Sequence, residues 1–483
     1  MECSAGANLP ELGVGIVYTA DLEPLIESDP SLFDVLEIEP QTVWLERYDR
    51  PGEIIVRPDV NEHIAALPGR KLIHSIGTPV GGSVPGTDAQ LPHLRQAVEQ
   101  YNAPWASEHL AFNLTPDHFT GFFLPPRQTE QGLEIYTAAI RRLQDALGVP
   151  IAFETGVNYL RPRPDEISDG EFAAELAHRA GCGILLDLHN VYANEWNGRQ
   201  KVKDFVAQLP PERVWEIHLA GGFEMSGYWL DAHSGPVPPA LFELSKEIIP
   251  NLPNLKAIVF EVFASFLPRF GLDQVRAEVE KLRELWALRG SRPAPSGGVR
   301  TDWPGAGTAV EDWERALGGL VVGRASDLPV ALDLAEDPGV ALIRQLIHEF
   351  RASMVVQVYR LSSRLMMLAL SPDVFRAILE DFWKHEPPRQ YAASEAEAFM
   401  AYLKSKNLRL PQLAKVMEFE KAAMDTLMDG RARVVRFPAD PFPMLRALAE
   451  GRLPDIIPQE GDFEIEITPE GPVRVASSPK MLI

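Results

Sequence analysis

Eight short runs rich in Val, Ile, Leu and Phe punctuate the first 280 or so residues, and most are separated by stretches whose apolar residues recur at helical spacing. The runs lie near 12–17, 34–38, 71–75, 104–109, 150–154, 183–187, 214–219 and 257–262. Between them fall helical stretches such as 128–147, 168–180 and 239–248, and another, 271–289, follows the last run. Apolar runs of strand length alternating with amphipathic helices describe βα units around a parallel sheet. Eight units in this length match a (β/α)8 TIM barrel, with an open doubly wound sheet as the alternative.

Residues 289–308 are rich in Pro, Gly and Ser and read as a linker. They separate a barrel domain, 1–288, from a second domain, 309–483. The second domain is predicted to be mainly helical α+β, with helices near 337–370, 372–384, 394–405 and 411–428. A strand near 434–440 and a β-hairpin near 463–477, with Gly471 in its turn, close it.

Charge narrows the partners. The chain has 46 Lys and Arg against 68 Asp and Glu, a net of −22, and the first 290 residues hold 23 of those bases but 41 of the acids. With no basic stripe, nucleic acid is not an expected partner. No apolar run is long enough for a membrane span and no leader pattern opens the chain, so no membrane association is expected. The two cysteines, Cys3 and Cys182, exclude a thiolate metal site, so any metal rests on nitrogen and oxygen ligands. The setting expected is the cytoplasm.

The chemistry gathers at the strand ends. Apolar runs terminate in His74, His109, Glu154, Asp187, His218 and Glu261, and the loop after the seventh run adds Asp231 and His233. In a barrel these positions share the rim where catalytic groups sit. A single such residue is more often a structural hydrogen-bonding group. Eight at corresponding positions make the inventory of a multinuclear metal site, with carboxylates bridging cations and imidazoles capping them. His63, His93 and His178 fall on helices and read as solvated, while His118 and His189 are left open.

The series HSIG, SEHLAFN, FETG, LLDLHNVY, EIHLAGG, DAHSGPV and FEVF resembles the DUF692 family of multinuclear non-haem iron-dependent oxidative enzymes, over roughly residues 11–275. That resemblance implies metal ligation by His74, His109, Glu154, Asp187, Asn190, His218, Asp231, His233 and Glu261. Asn190 stands where the more distant endonuclease IV relatives carry histidine, and its harder amide oxygen suits iron better than zinc. The resemblance further implies two or three irons and dioxygen as cosubstrate. The substrate implied is a residue, such as Cys, Asp or Asn, of a ribosomally synthesised precursor peptide. No catalytic residue beyond the ligands and no organic cofactor is implied.

The chain departs from the family after the second strand, where the usual Glu-Asn gives way to Glu39-Pro40, so neither Glu37 nor Glu39 receives a role. The segment from about 309, in PDVFRAILEDFWKHEPP, EFEKAAMDTLMDG and VVRFPADPF, more weakly resembles the partner proteins that capture the precursor's leader. Fused in one chain, it would bind the leader along a strand edge and make a separate partner unnecessary. The plainer alternative is a helical oligomerisation or stability domain. Two other functions use the same ligands. One is a zinc- or manganese-dependent phosphoesterase or sugar isomerase of the related barrels, and the other a non-catalytic metal-dependent binding protein.

Overall fold

The computed structural model describes residues 8–86, 88–290, 307–453 and 460–475. Most of the expected linker, 291–306, lies outside them. The chain divides into two compact units, one of residues 1–44 with 56–344, the other of 45–55 with 345–483. The segment in which peptide recognition is expected, from 309 onward, therefore contributes to both.

All eight predicted strands form, as Gly13–Val17, Val35–Ile38, Arg70–Ser75, Ala106–His109, Ile151–Glu154, Gly183–Asp187, Val214–Ala220 and Ala257–Glu261. They pair in parallel in chain order, and the first closes on the eighth to complete a barrel. Helices wrap it, among them Leu91–Tyr101, Glu130–Leu147, Asp169–Ala180, Pro239–Ile248 and Leu272–Trp286.

Because alternate strand residues face the same side, each strand loads the interior in layers. The lower layer is apolar, with Val35, Leu72, Trp105, Ala152, Leu185 and Val259 in one buried cluster. Two residues further along five of those strands stand Glu37, His74, Glu154, Asp187 and Glu261, all buried. A packed hydrocarbon floor thus lies directly beneath a polar ceiling.

Two hairpins rise from this rim. Phe112–Leu114 pairs with Phe119–Leu124 after the fourth strand, and Phe223–Met225 with Tyr228–Leu230 after the seventh. In the second, Ser226 and Gly227 both take positive φ (54° and 83°), the geometry of a two-residue type I′ turn. The helices Val310–Val321 and Pro329–Ala335 also belong to this unit.

In the second unit, Arg360–Leu370, Pro372–His385, Ala392–Ser405 and Leu413–Asp429 pack around Met366, Phe375, Phe382, Phe399 and Met400. The long helix expected over 337–370 breaks at Tyr359. Glu420 caps the segment that follows, accepting from the backbone N–H groups of Leu361 (2.5 Å) and Ser362 (3.0 Å). A three-stranded antiparallel sheet has Glu460–Thr468 at its centre and Arg433–Ala439 and Gly471–Val475 at its edges. Gly471 pairs with Thr468 at the start of its strand, so the turn itself is Pro469–Glu470. Among the described residues no helix is long and apolar enough to cross a membrane.

Candidate metal centre

Each predicted ligand except Asn190, which lies in the first turn of a helix, arrives at the rim on its own strand or on the loop just above it. At one end His74 and His109 converge on Glu154, their Nε2 atoms 3.2 and 3.1 Å from its Oε2. The opposite ring nitrogens are engaged elsewhere. His74 Nδ1 meets the Ser107 hydroxyl at 2.8 Å, and His109 Nδ1 lies 3.3 Å from Glu108. Glu108 is itself fixed by the Ser75 hydroxyl (2.6 Å) and the Thr78 backbone N–H (2.8 Å). Both imidazoles are thereby set to present Nε2 inward.

At the other end Glu261 lies between two imidazoles, with Oε1 3.1 Å from His218 Nδ1 and Oε2 3.3 Å from His233 Nε2. His233 Nε2 is also 2.8 Å from Asp231 Oδ1. His233 holds a left-handed backbone (φ 43°), unusual away from glycine, and its carbonyl accepts from the Phe263 N–H at 3.0 Å.

The two ends join through the middle. Potential ligand atoms lie within 4.8 Å of one another in each of three successive trios, His74–His109–Glu154, Glu154–Asp187–His218 and Asp187–Asp231–His233. Glu154 belongs to the first two trios and Asp187 to the last two. A carboxylate shared between neighbouring groups is what bridged cations require.

Asn190 completes the middle. Asp187 caps the helix Leu188–Trp196 by accepting from the Asn190 backbone N–H at 2.7 Å. The Asn190 side chain donates its Nδ2 to Glu154 Oε1 at 3.2 Å and leaves Oδ1 buried without a partner. An amide turned this way offers oxygen to a cation.

The residues fit a metal cluster on three physical grounds. First, Glu154 Oε2, Asp187 Oδ2, Asn190 Oδ1, both His218 nitrogens, His233 Nε2 and Glu261 Oε2 are buried without a hydrogen bond. The imidazole–carboxylate separations are short, but the N–H axes do not aim at the oxygens. Two ligands at right angles on one ion, each ~2.1 Å from it, stand ~3 Å apart, the spacing found here.

Second, like charges crowd. Two carboxylates at 4.8 Å repel by roughly 3–4 kcal/mol at an effective dielectric of 20. Burial, then Glu261, Asp231 and Glu154, accordingly drives the Asp187 carboxyl well above its usual range. Third, burial likewise acts to raise Glu154, yet His109, His74 and His218 outweigh it and hold that group below its ordinary value. Burial opposes a charge on His218, but Glu261 and Glu37 more than offset it. Without cations the cluster is a lattice of mutually dependent charges.

The structure adds residues the strand-end reading omitted. Glu37 is fully buried with Oε2 2.8 Å from His218 Nε2, and Glu216, two residues before His218, is 3.9 Å from the same nitrogen. Trp105 Nε1 donates to Glu216 at 3.0 Å. Burial and then Glu216 lift the Glu37 carboxyl to about 7. The spacing of Glu216 and His218 already places both on one face of their strand, a signal present in the sequence. The amide missing after Glu39 is also supplied nearby, since buried Gln41 donates to the Ser75 hydroxyl at 2.8 Å. His189 is buried beside Asp231, at 3.2 Å. His63, by contrast, is exposed and pairs with Glu23.

A sequence model described as RiPP precursor modification enzyme MbnB/TglH/ChrH matches residues 14–287. A UPF0276 protein of Chromobacterium violaceum is 34% identical over 177 residues, covering 37% of this chain and 64% of that relative. One from Anaeromyxobacter sp. strain Fw109-5 is 29% identical over 230 residues, covering 46% of this chain and 80% of that relative. The match to the first thus spans just under two thirds of its length. Among solved structures, a xylose isomerase domain protein from Planctomyces limnophilus aligns with 57% of this chain and 97% of its own, at 12% identity and a TM-score of 0.38. A likeness that slight carries no argument about function.

Proposed function

Because the chain belongs to the MbnB/TglH/ChrH family of RiPP precursor modification enzymes, we propose that it oxidatively modifies a residue of a ribosomally synthesised precursor peptide, using two or three non-haem irons and dioxygen. The observation that carries this reading is the run of three ligand trios linked through Glu154 and Asp187. Bound iron would supply the electrons for reducing dioxygen and open positions for a substrate heteroatom.

The chain's own residues do the rest. His74, His109 and Glu154 would hold one ion, Glu154, Asp187, Asn190, His218 and Glu261 the middle, and Asp187, Asp231 and His233 the far end. Glu37 places a carboxylate 2.8 Å from the far nitrogen of His218, where its charge favours the protonated or metal-bound imidazole. The apolar floor closes the barrel below the cluster, so substrate must enter from the loop side, past Phe123 on His109 and Phe263 on His233.

The leader of the precursor would dock on the second unit. Its sheet offers two edges, and strand addition to an edge gives affinity through main-chain hydrogen bonds with little demand on sequence. The same reading places the enzyme in the cytoplasm, without need of a separate capture protein.

Anaerobic purification with metal analysis tests the chemistry. About two or more irons per chain, lost in His218→Ala and Glu261→Gln, is the expected result. Stoichiometric zinc with phosphatase or sugar isomerase activity would overturn it. For the leader, hydrogen exchange on the full chain with a candidate precursor peptide should slow at 433–439 or 471–475. Unchanged exchange there removes the docking proposal and leaves the iron site standing.

A further inference from the structure

The hairpin above the seventh strand reaches into the metal centre by a route independent of any ligand. Its Trp229 donates the indole N–H to His189 Nε2 at 3.0 Å. Indole nitrogen is a donor only, so His189 Nε2 must offer its lone pair and carries no proton. The ring proton then sits on Nδ1, which lies 3.2 Å from Asp231 Oδ1 and donates to it. Both nitrogens of His189 are thus committed, and neither is left for a metal.

The approach is built, not incidental. The Asn197 side chain grips the Trp229 backbone from both sides, accepting from its N–H at 2.8 Å and donating to its carbonyl at 3.1 Å. Tyr192 and Trp196, on the helix that carries His189, pack against the indole at centroid distances of 5.9 and 5.3 Å. Gly222 leaves the space, because a Cβ there would stand 2.5 Å from Trp229 Nε1 and 2.7 Å from His189 Nε2. One helix, Leu188–Trp196, therefore presents Asp187, His189 and Asn190 at its start and secures Trp229 at its end.

We infer that Trp229 is a positioning residue of the metal centre, which fixes the tautomer of His189 so that this imidazole donates to Asp231 and holds its carboxylate toward the ion shared with His233. In the other tautomer an imidazole lone pair would face the Asp231 carboxylate and repel it. The role assigned to Asp231 rests on the metal reading above; the tautomer does not.

The test uses the full chain in two states. In the metal-free protein, NMR of the histidine ring nitrogens, with His189 assigned by its loss in His189→Gln, should show the Nδ1–H tautomer. Finding the Nε2–H form in the wild type overturns the inference without any further variant. Trp229→Phe keeps an aromatic ring and removes the donor. It should give mixed tautomers, and anaerobic titration with ferrous iron should show one ion bound at least tenfold more weakly, with an altered Mössbauer signature. The remaining iron should bind as in the wild type. A Trp229→Phe protein with wild-type tautomer and iron binding sinks the inference. Should the wild type take up no iron, the proposed function fails while the tautomer result still decides the relay.

Discussion

Glu154 shows how much can depend on one side chain. Two imidazole nitrogens stand within 3.2 Å of one of its oxygens and an amide donates to the other. Glu154→Gln keeps the shape but removes the charge that bridges two trios. Iron bound by the variant should fall by at least one ion per chain after anaerobic reconstitution, and full occupancy would refute the bridging role. A second residue, outside the ligand set, reports on pH. Glu314 is buried, accepting from the Ser83 backbone N–H at 2.8 Å and from its hydroxyl, and burial raises its carboxyl from 4.5 to about 7. Between those values the unfolded chain has released a proton that the folded chain retains. Stability therefore falls as pH rises through the window, by up to about 3 kcal/mol, and stays lowered above it. In Glu314→Gln the urea midpoint of the metal-free protein should slope less steeply over that range. Parallel slopes in variant and wild type would refute the assignment.

Among the elements, the barrel strands were the most legible, because an apolar layer followed two residues later by a His or acid is a pattern of period two. The same period contained Glu216 beside His218 and Glu37 above Val35, but a strand-end reading stops at the last polar residue and passes over the one before it. His189 could not be settled from sequence, since its role depends on an indole 40 residues away. The helix Val310–Val321 was equally hidden. A Pro- and Gly-rich segment marks a connection without saying which neighbour a later helix packs on. Here Trp313 is buried with the guanidinium groups of Arg127 and Arg163 over its ring, each 4.7 Å from the centroid. Trp313→Ala should cost the barrel unit ~3–5 kcal/mol in urea denaturation, while Leu332→Ala, on the 76% exposed Leu332, should change it by less than about 0.5 kcal/mol. Equal effects would show that the helix is dispensable.

For the whole molecule, two compact units argue against a single all-or-none transition. Metal should stabilise only the unit that contains the ligands. At an iron concentration 100 times its dissociation constant the gain is ~2.7 kcal/mol. Calorimetry with and without chelator should therefore move one transition and leave the other in place. Movement of both together would show that the units melt as one. The net charge of −22 suggested only which partners are disfavoured, whereas the placement of Glu154, Asp187, Asp231 and Glu261 on one rim beside imidazoles is what suits that rim to cations.

The excursion 45–55 leaves the barrel after its second strand and belongs to the second unit, where Leu45, Tyr48 and Ile55 pack with Ala393, Met424 and Met428. The backbone therefore passes between units three times, at residues 44–45, 55–56 and 344–345. Such a gene cannot be split into two self-sufficient halves at any one codon. Excursion and tail together make up one compact unit, so no single cut in the chain separates it from the barrel.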